Sequence, residues 1–305
     1  MEVSELGFKN MHKTVLLNEA IDGLNLGNKS VIIDATFGGG GHSLEICKRY
    51  PGVKIIALDQ DKNAFKKAKE KFTDLNCNIF FINENFRNMD KVLEKMGEKE
   101  IDGIIFDLGL SSDQLENSGR GFSFMKSEPL FMTMKENPRP EDLTANDIVN
   151  IWSEKSLADI IYGYGEERFS RRIAQGIVEA RKKARIENTF DLVKIISQAV
   201  PAAYRRGRLH FATRTFQALR IAVNDELGVL QMGLEKGFNA LKVNGRMSVI
   251  SFHSLEDRIA KKFYKKMEKE NAARLINKKP IIATKEEIKN NPRARSAKLR
   301  ILEKI

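Results

Sequence analysis

Val31-Ile32-Ile33-Asp34-Ala35-Thr36-Phe37-Gly38-Gly39-Gly40-Gly41-His42 decides how this chain folds. Three β-branched residues in a row read as a short buried strand. Asp34 ends it, and four consecutive glycines lead to His42-Ser43-Leu44, where a helical pattern begins. Glycine lets the backbone take positive φ and approach a bound molecule closely. A strand, a glycine loop and a helix N-terminus in that order form a nucleotide-shaped socket at the carboxyl edge of a parallel sheet.

The spacing narrows the ligand. A dinucleotide fingerprint starting at Gly38 needs a third glycine where Ser43 stands, and a phosphate-binding P-loop needs a Gly-Lys-Ser/Thr that is missing. A nicotinamide oxidoreductase is thereby disfavoured. A second strand, Ile55-Ile56-Ala57-Leu58, ends in Asp59, where a carboxylate accepts hydrogen bonds from a ribose diol. The pattern fits an adenosyl cofactor without a pyrophosphate, such as S-adenosylmethionine. The alternative is a plain glycine turn.

Strand–helix alternation continues from there. Asp61 suits the N-cap of a helix over Lys62–Phe72. A third strand, Asn78–Ile82, precedes Phe86, placed either as an adenine wall or as a plug at the sheet edge. A fourth, Ile101–Leu108, carries Asp107 near its carboxyl end. These units predict an α/β fold with a doubly wound, mostly parallel sheet. Beyond Leu115 the alternation stops. Helical patterns cover Thr144–Trp152, Leu157–Tyr162, Glu166–Lys183 and Phe190–Val200, so an all-helical domain is expected within the sheet. The expected domains are 1–114, 115–211 and 212–305. Phe216 to Leu241 then reads as one long helix. Met247–Phe252 reads as a strand delivering His253, and Lys298–Glu303 as an antiparallel edge strand.

Composition bounds the rest. Fifty-two Lys and Arg against 41 Asp and Glu give a net charge of +11, which suits a polyanionic partner. Pro201–Arg220 holds five arginines and no acid. Forked guanidinium donors suit phosphates, which makes Arg205, Arg206, Arg208 and Arg214 candidate contacts to a polyanion's phosphates. Lys261–Arg300 holds 14 Lys or Arg against four Glu, read on its first helix as a solvated face. No apolar run reaches the ~18 residues of a membrane span, so no membrane partner is expected. The N-terminus lacks an apolar signal core. Cys47 and Cys77 have no C-x-x-C spacing, and reduced thiols in a cytoplasmic protein are expected.

The chain resembles the bacterial ribosomal RNA small subunit methyltransferase H family from residue 12 almost to the C-terminus. The likeness rests on H-K-T-V-L-L-N-E-A, D-A-T-F-G-G-G-G-H-S, D-L-G-L-S-S-D-Q-L, R-G-F-S-F-M, Y-G-E-E-R-F-S-R-R-I-A, A-T-R-T-F-Q-A-L-R-I, V-I-S-F-H-S-L-E-D-R and N-P-R-A-R-S-A-K-L-R, in that order. It implies a Rossmann-like methyltransferase with an inserted helical domain that uses S-adenosylmethionine to methylate N4 of a cytosine in 16S rRNA. It also implies a cofactor pocket of Gly40, Gly41 and His42, with Asp59 on the ribose, Phe86 near the adenine, and Asp107 and Gln114 around the methionine end. The implied partner is 16S rRNA within a small ribosomal subunit, for a monomer or homodimer with no metal. One departure stands out. Phe131 and Thr133 replace an Asp and an Arg usual in the family; if those two charges paired with each other, losing both leaves neither unmatched.

Methylating a cytosine amine requires holding a poor nucleophile in line with the methyl group and accepting its proton. Asp107, or carbonyls just after it, and His253 are the candidates, with the alternative that Asp107 holds the cofactor's amino group. His12 could also face a site, although a structural role is the commoner one for a lone histidine. His253 has its own alternative as a helix-start residue, with Ser254 as N-cap and Asp257 three positions on. Rival functions are an amino-methyltransferase for DNA or a small molecule, and a non-catalytic assembly factor that keeps the fold. The absence of Pro-Pro-Tyr after the fourth strand argues against the first. The intact acids and glycine loop argue against the second.

Overall fold

The computed structural model describes residues 13–136 and 138–305, apart from the side chain of Lys67. His12 lies outside the described residues. The chain divides into two compact units, residues 1–109 with 230–305, and residues 110–229.

The first unit opens with helix α1 (Leu17–Leu24), strand β1 (Val31–Asp34), helix α2 (Gly41–Arg49), strand β2 (Lys54–Asp59) and helix α3 (Lys62–Ala68). Strand β3 (Asn78–Asn83), helix α4 (Met89–Met96) and strand β4 (Ile101–Asp107) follow. Asp61 caps α3 by accepting from the Asn63 amide at 3.0 Å. A 3-10 turn over Lys69–Phe72 extends that helix.

The second unit is built from α5 (Ser112–Glu116), α6 (Ala145–Ile151), α7 (Glu154–Gly163), α8 (Ser170–Arg181), α9 (Thr189–Ala199), α10 (Ala202–Arg205) and α11 (Thr213–Asn224). Its core holds Ile148, Leu157, Ile161, Ile173, Ile177, Leu192 and Ile196, all fully buried. Asn188 caps α9 through its side chain and the Asp191 amide. The expected helix over Glu166–Lys183 begins later, at Ser170, because Glu166 adopts φ 50° and turns the chain. Phe131 and Thr133 border Met132, whose carbonyl accepts from the Asn224 side chain at 2.8 Å. Thr133 is buried and Phe131 exposed, so the segment holds its shape through backbone bonds rather than an ion pair.

Helix α12 (Glu226–Ala240) returns the chain to the first unit, followed by β5 (Leu241–Ser251) and α13 (Ser254–Lys269). Strands β6 (Ala273–Leu275) and β7 (Ile281–Ile282), helix α14 (Lys285–Asn290) and strand β8 (Lys298–Lys304) complete it. The single helix expected from Phe216 to Leu241 is therefore two. Asp225 sits between them with φ 50°, and Leu241 already belongs to β5. The apolar period runs on across the break, which is why periodicity alone joins the two helices. Arg220 reaches over the break to Glu226 with two bonds of 2.7 and 2.8 Å.

The strands form one sheet in the order β3-β2-β1-β4-β5-β8-β6, with β7 also paired to β8. Strands β1 to β5 run parallel and β8 runs antiparallel to β5. The last strand is not an edge, contrary to expectation: β6 and β7 pair along its other side. Leu299, Ile301 and Leu302 are accordingly buried. Alternation along the strands splits two cores. Ile32, Ile55 and Ile105 face α1, α2 and α3, while Ile33, Ile56 and Ile104 face α4, α12 and α13. Helices on both faces of a mostly parallel sheet make the fold doubly wound.

Cys47 on α2 and Cys77, just before β3, form a disulfide with their Cα atoms 5.4 Å apart. This corrects the expectation of free thiols. The packing of α2 against the entry to β3 brings together residues 30 apart in sequence, and no local spacing motif announces such a contact.

Candidate functional site

In a parallel sheet the carboxyl ends of neighbouring strands share one edge. Register places Asp34 opposite Ala57 and Ile105, Asp59 opposite Asn83, and Asp107 opposite Ile250. Three carboxylates therefore end β1, β2 and β4 on the same side, beside the glycine loop.

The loop is pinned by these acids. Asp59 accepts from the amides of Gly38 and Asp61 through separate oxygens, each at 2.8 Å. Asp34 accepts from the Ser43 hydroxyl at 2.6 Å, tying the strand to the first turn of α2. Gly40 adopts φ +73°, and a Cβ there would stand 2.6 Å from the Phe37 ring. A Cβ on Gly41 would overlap the Thr14 hydroxyl at 1.8 Å. These two glycines thus serve close backbone packing, and the loop amides are brought to the sheet edge as a result. His42, in the first turn of α2, is buried, and its Nδ1 lies 3.7 Å from Asp107 Oδ2.

Asp107 has the most perturbed environment. Its amide donates to Thr36 Oγ1 at 2.6 Å, but its buried Oδ1 has no hydrogen-bond partner among the described residues. Burial first, then the nearby charges of Asp34 and Glu256, push its pKa up to about 8. Burial also raises Asp34 to about 6, against the bonds from Ser43 and Thr36. Asp59 rises to about 6 as well, again chiefly through burial. A sheet edge with three such acids is starved of positive charge.

Phe86 follows β3 and packs edge-on against Phe106, with ring centroids 5.4 Å apart. A Cβ on Gly233 of α12 would press to 2.6 Å from it, so the ring is seated by close packing. Gln114 lies in the second unit, buried at the start of α5. It completes a capping box with Ser111, whose amide donates to Gln114 Oε1 at 3.0 Å.

His253, rather than Ser254, caps α13. The Glu256 amide approaches His253 Nδ1 at 3.4 Å, and Glu256 Oε2 accepts from the amides of His253 and Phe252. His253 Nε2 lies 3.2 Å from Glu256 Oε1. Glu256 is buried and was not expected here; its signal was an acid three residues after the cap, masked by the more familiar Ser-Leu-Glu-Asp register. Asp257 instead binds Arg300 and Lys298 at 2.7 and 3.0 Å.

In the second unit Arg205, Arg206 and Arg208 are exposed. Arg205 touches Ser197 Oγ at 3.3 Å. Arg214 donates to the Glu166 carbonyl at 2.8 Å and so also braces the turn before α8.

The sequence profile of the MraW methylase family matches residues 9–305. The chain belongs to the MraW methylase family. Its relatives in this family include a protein from Clostridium botulinum named ribosomal RNA small subunit methyltransferase H, 47% identical over 311 residues, covering 96% of this chain and 99% of that one. A protein of the same name from Sulfurihydrogenibium sp. is 47% identical over 294 residues, with coverage of 96% and 99%. Another from Brevibacillus brevis is 43% identical over 310 residues, with coverage of 96% and 98%. The family match spans both units, so the acid-lined sheet edge and the arginine-bearing helical unit are parts of one methylase. Among the described residues no helix is long and apolar enough to cross a membrane.

Proposed function

We propose that this methylase uses S-adenosylmethionine to methylate the N4 amine of a cytidine in the 16S rRNA of the small ribosomal subunit. The observation that carries the reading is Asp107: a buried carboxylate oxygen with no hydrogen-bond partner among the described residues, at the end of β4, beside the glycine loop.

The residues at this edge fit the cofactor. A carboxylate offers about four lone-pair sites; Asp59 uses two on amides and keeps the others for the ribose hydroxyls. Phe86 walls the adenine, and Gly40, Gly41 and His42 line the loop side. Asp107 serves the methionine end, to which the family resemblance alone also assigns Gln114. When bound, the cofactor supplies an electrophilic methyl group on a positively charged sulfur. Positive charge at this edge favours the ionised form of Asp107. Its free oxygen then accepts an N–H of the cytosine amine, orients the nitrogen lone pair and takes up the proton as the new bond forms. His253, the second candidate, caps α13 by accepting from the Glu256 amide through Nδ1, and this supports a structural part for it, while its buried Nε2 has no hydrogen-bond partner among the described residues.

The target base must leave its stack to reach such a site. Arg205, Arg206, Arg208 and Arg214 are proposed to hold the flanking RNA backbone. The reading places the enzyme in the cytoplasm, as a monomer or homodimer acting on the small subunit, with no metal.

The test is transfer of labelled methyl from S-adenosylmethionine to purified small subunits lacking base modification, followed by nucleoside analysis. N4-methylcytidine at a single site is the expected product. Label in another nucleoside refutes the target. No label, with the cofactor bound, moves an assembly role to the front. Charge reversal at Arg205 and Arg206 is expected to weaken subunit binding at least tenfold and leave cofactor affinity unchanged, following the ~1–3 kcal/mol scale of such contacts.

A further inference from the structure

Within the second unit, the stretch Tyr164-Gly165-Glu166-Glu167-Arg168-Phe169-Ser170-Arg171-Arg172 folds into a turn and the first turn of α8. Glu167 is fully buried. Its carboxylate accepts from the Phe169 amide at 2.8 Å and from the Tyr204 hydroxyl at 2.5 Å, and it makes no ion pair among the described residues. Burial and that carboxylate push the Tyr204 pKa up to about 12, so the phenol stays a donor. A buried carboxylate without a cation is costly to keep, and here it locks two aromatic rings in place. Phe169 and Tyr204 meet at 72° with centroids 4.9 Å apart.

The rings carry cations on their outer side. The Arg168 guanidinium carbon lies 4.8 Å from the Phe169 centroid and 5.1 Å from that of Tyr204. That of Arg172 lies 5.9 Å from Phe169. Both arginines are exposed, and neither pairs with a carboxylate among the described residues. A guanidinium resting on an aromatic ring keeps its in-plane N–H donors for other acceptors and has lost part of its side-chain freedom in advance. Two such forks within reach of one ring match a phosphate, which accepts bidentate bonds from arginine. Arg205 and Arg206 continue directly from Tyr204, so the surroundings are cationic too.

We infer that Arg168 and Arg172, presented by Phe169 and Tyr204 over the buried Glu167, form a built phosphate site for the RNA strand. The inference rests on the RNA substrate proposed above and adds two contact residues, Arg168 and Arg172, and one positioning residue, Glu167. A peptide ligand is less suited, since unpaired arginines flanked by further arginines favour a continuous polyanion over isolated carboxylates.

Binding of the full chain to purified small subunits, measured across a salt series, tests it. Arg168→Gln is expected to weaken binding about tenfold and to lower the slope of log affinity against log salt by about one. Cofactor affinity and melting temperature should not move. Arg168→Lys should restore the slope and recover only part of the affinity, because an ammonium keeps the charge but not the fork. Glu167→Gln should weaken subunit binding several-fold at unchanged cofactor affinity. If Arg168→Gln with Arg172→Gln binds with the native affinity and slope while charge reversal at Arg205 and Arg206 does not, the phosphate site is refuted and the RNA reading stands. If the unaltered protein fails to bind subunits, the RNA reading falls and takes this site with it. If the glutamine variants melt early, Arg168→Lys decides: native binding in every respect would overturn the need for a fork.

Discussion

The sheet edge of the first unit and the arginine patch of the second use charge in opposite ways. At the edge, Asp34 is buried, Asp59 and Asp107 are half-buried, and the proton affinities of all three rise. On the patch, Arg168, Arg172, Arg205 and Arg206 stay exposed. Buried charge interacts strongly and is barely screened, whereas exposed charge interacts weakly, is screened beyond about 10 Å and weakens further with salt. The first arrangement suits selecting one small cation and moving one proton. The second suits holding a long polyanion without reading much of its sequence. One chain thus divides chemistry from grip by depth of burial.

The sharpest way to break this contrast is Asp107→Asn. Losing a positioned proton acceptor is expected to lower methyl transfer by about 10²–10⁴-fold, read as labelled methyl per subunit. The same variant probes burial. A pKa near 8 in the folded state, above the ordinary 3.8, means that the native state holds this proton more tightly than the unfolded one. The unliganded protein therefore loses stability as pH rises from about 4 to about 8. Melting curves of the asparagine variant should fall less over that interval; an identical fall would show that Asp107 is not charge-starved.

Reducing the Cys47–Cys77 bond, which closes a loop of 30 residues, should cost about 2–4 kcal/mol. Denaturant titration with and without a thiol reductant measures it, and equal midpoints would show that α2 is held by packing alone. Gly40→Ala forces a side chain into φ +73° and against Phe37. The strain is about 1–3 kcal/mol, and calorimetry should show weaker cofactor binding with subunit binding intact. The smallest effect belongs to His253→Ala. Losing the cap should cost about 1 kcal/mol of stability and leave turnover near native; a large fall in turnover would return His253 to the reaction.

The legible parts were those with local causes. A β-branched run closed by an aspartate marks a buried strand, and repeated three times it marks the acid-tipped edge. Asp61 announced its helix because a cap is a contact between near neighbours. What stayed hidden depends on distant packing or on one backbone angle. Asp225 breaks a helix without breaking its apolar period. His253 takes the cap from a serine that looks better suited. The disulfide and the burial of β8 depend on which elements the sheet sets side by side. The raised proton affinity of Asp107 comes first from burial and then from Asp34 and Glu256, on either side of it in sequence and far from it.

The sheet's order also sets a timetable. Strands β4 and β5 are neighbours, yet the whole second unit is made between them, and β8 comes last. At ~5–20 residues per second, the roughly 200 residues from the end of β4 to the end of β8 take on the order of 10–40 s to synthesise. The second unit is complete in that interval and can fold as its own core. Until β5 arrives, β4 keeps an open edge carrying the apolar Ile104 and Phe106, the kind of edge that pairs with the wrong partner. A nascent chain therefore carries its arginines before β5 arrives beside β4 to complete the acid-tipped edge.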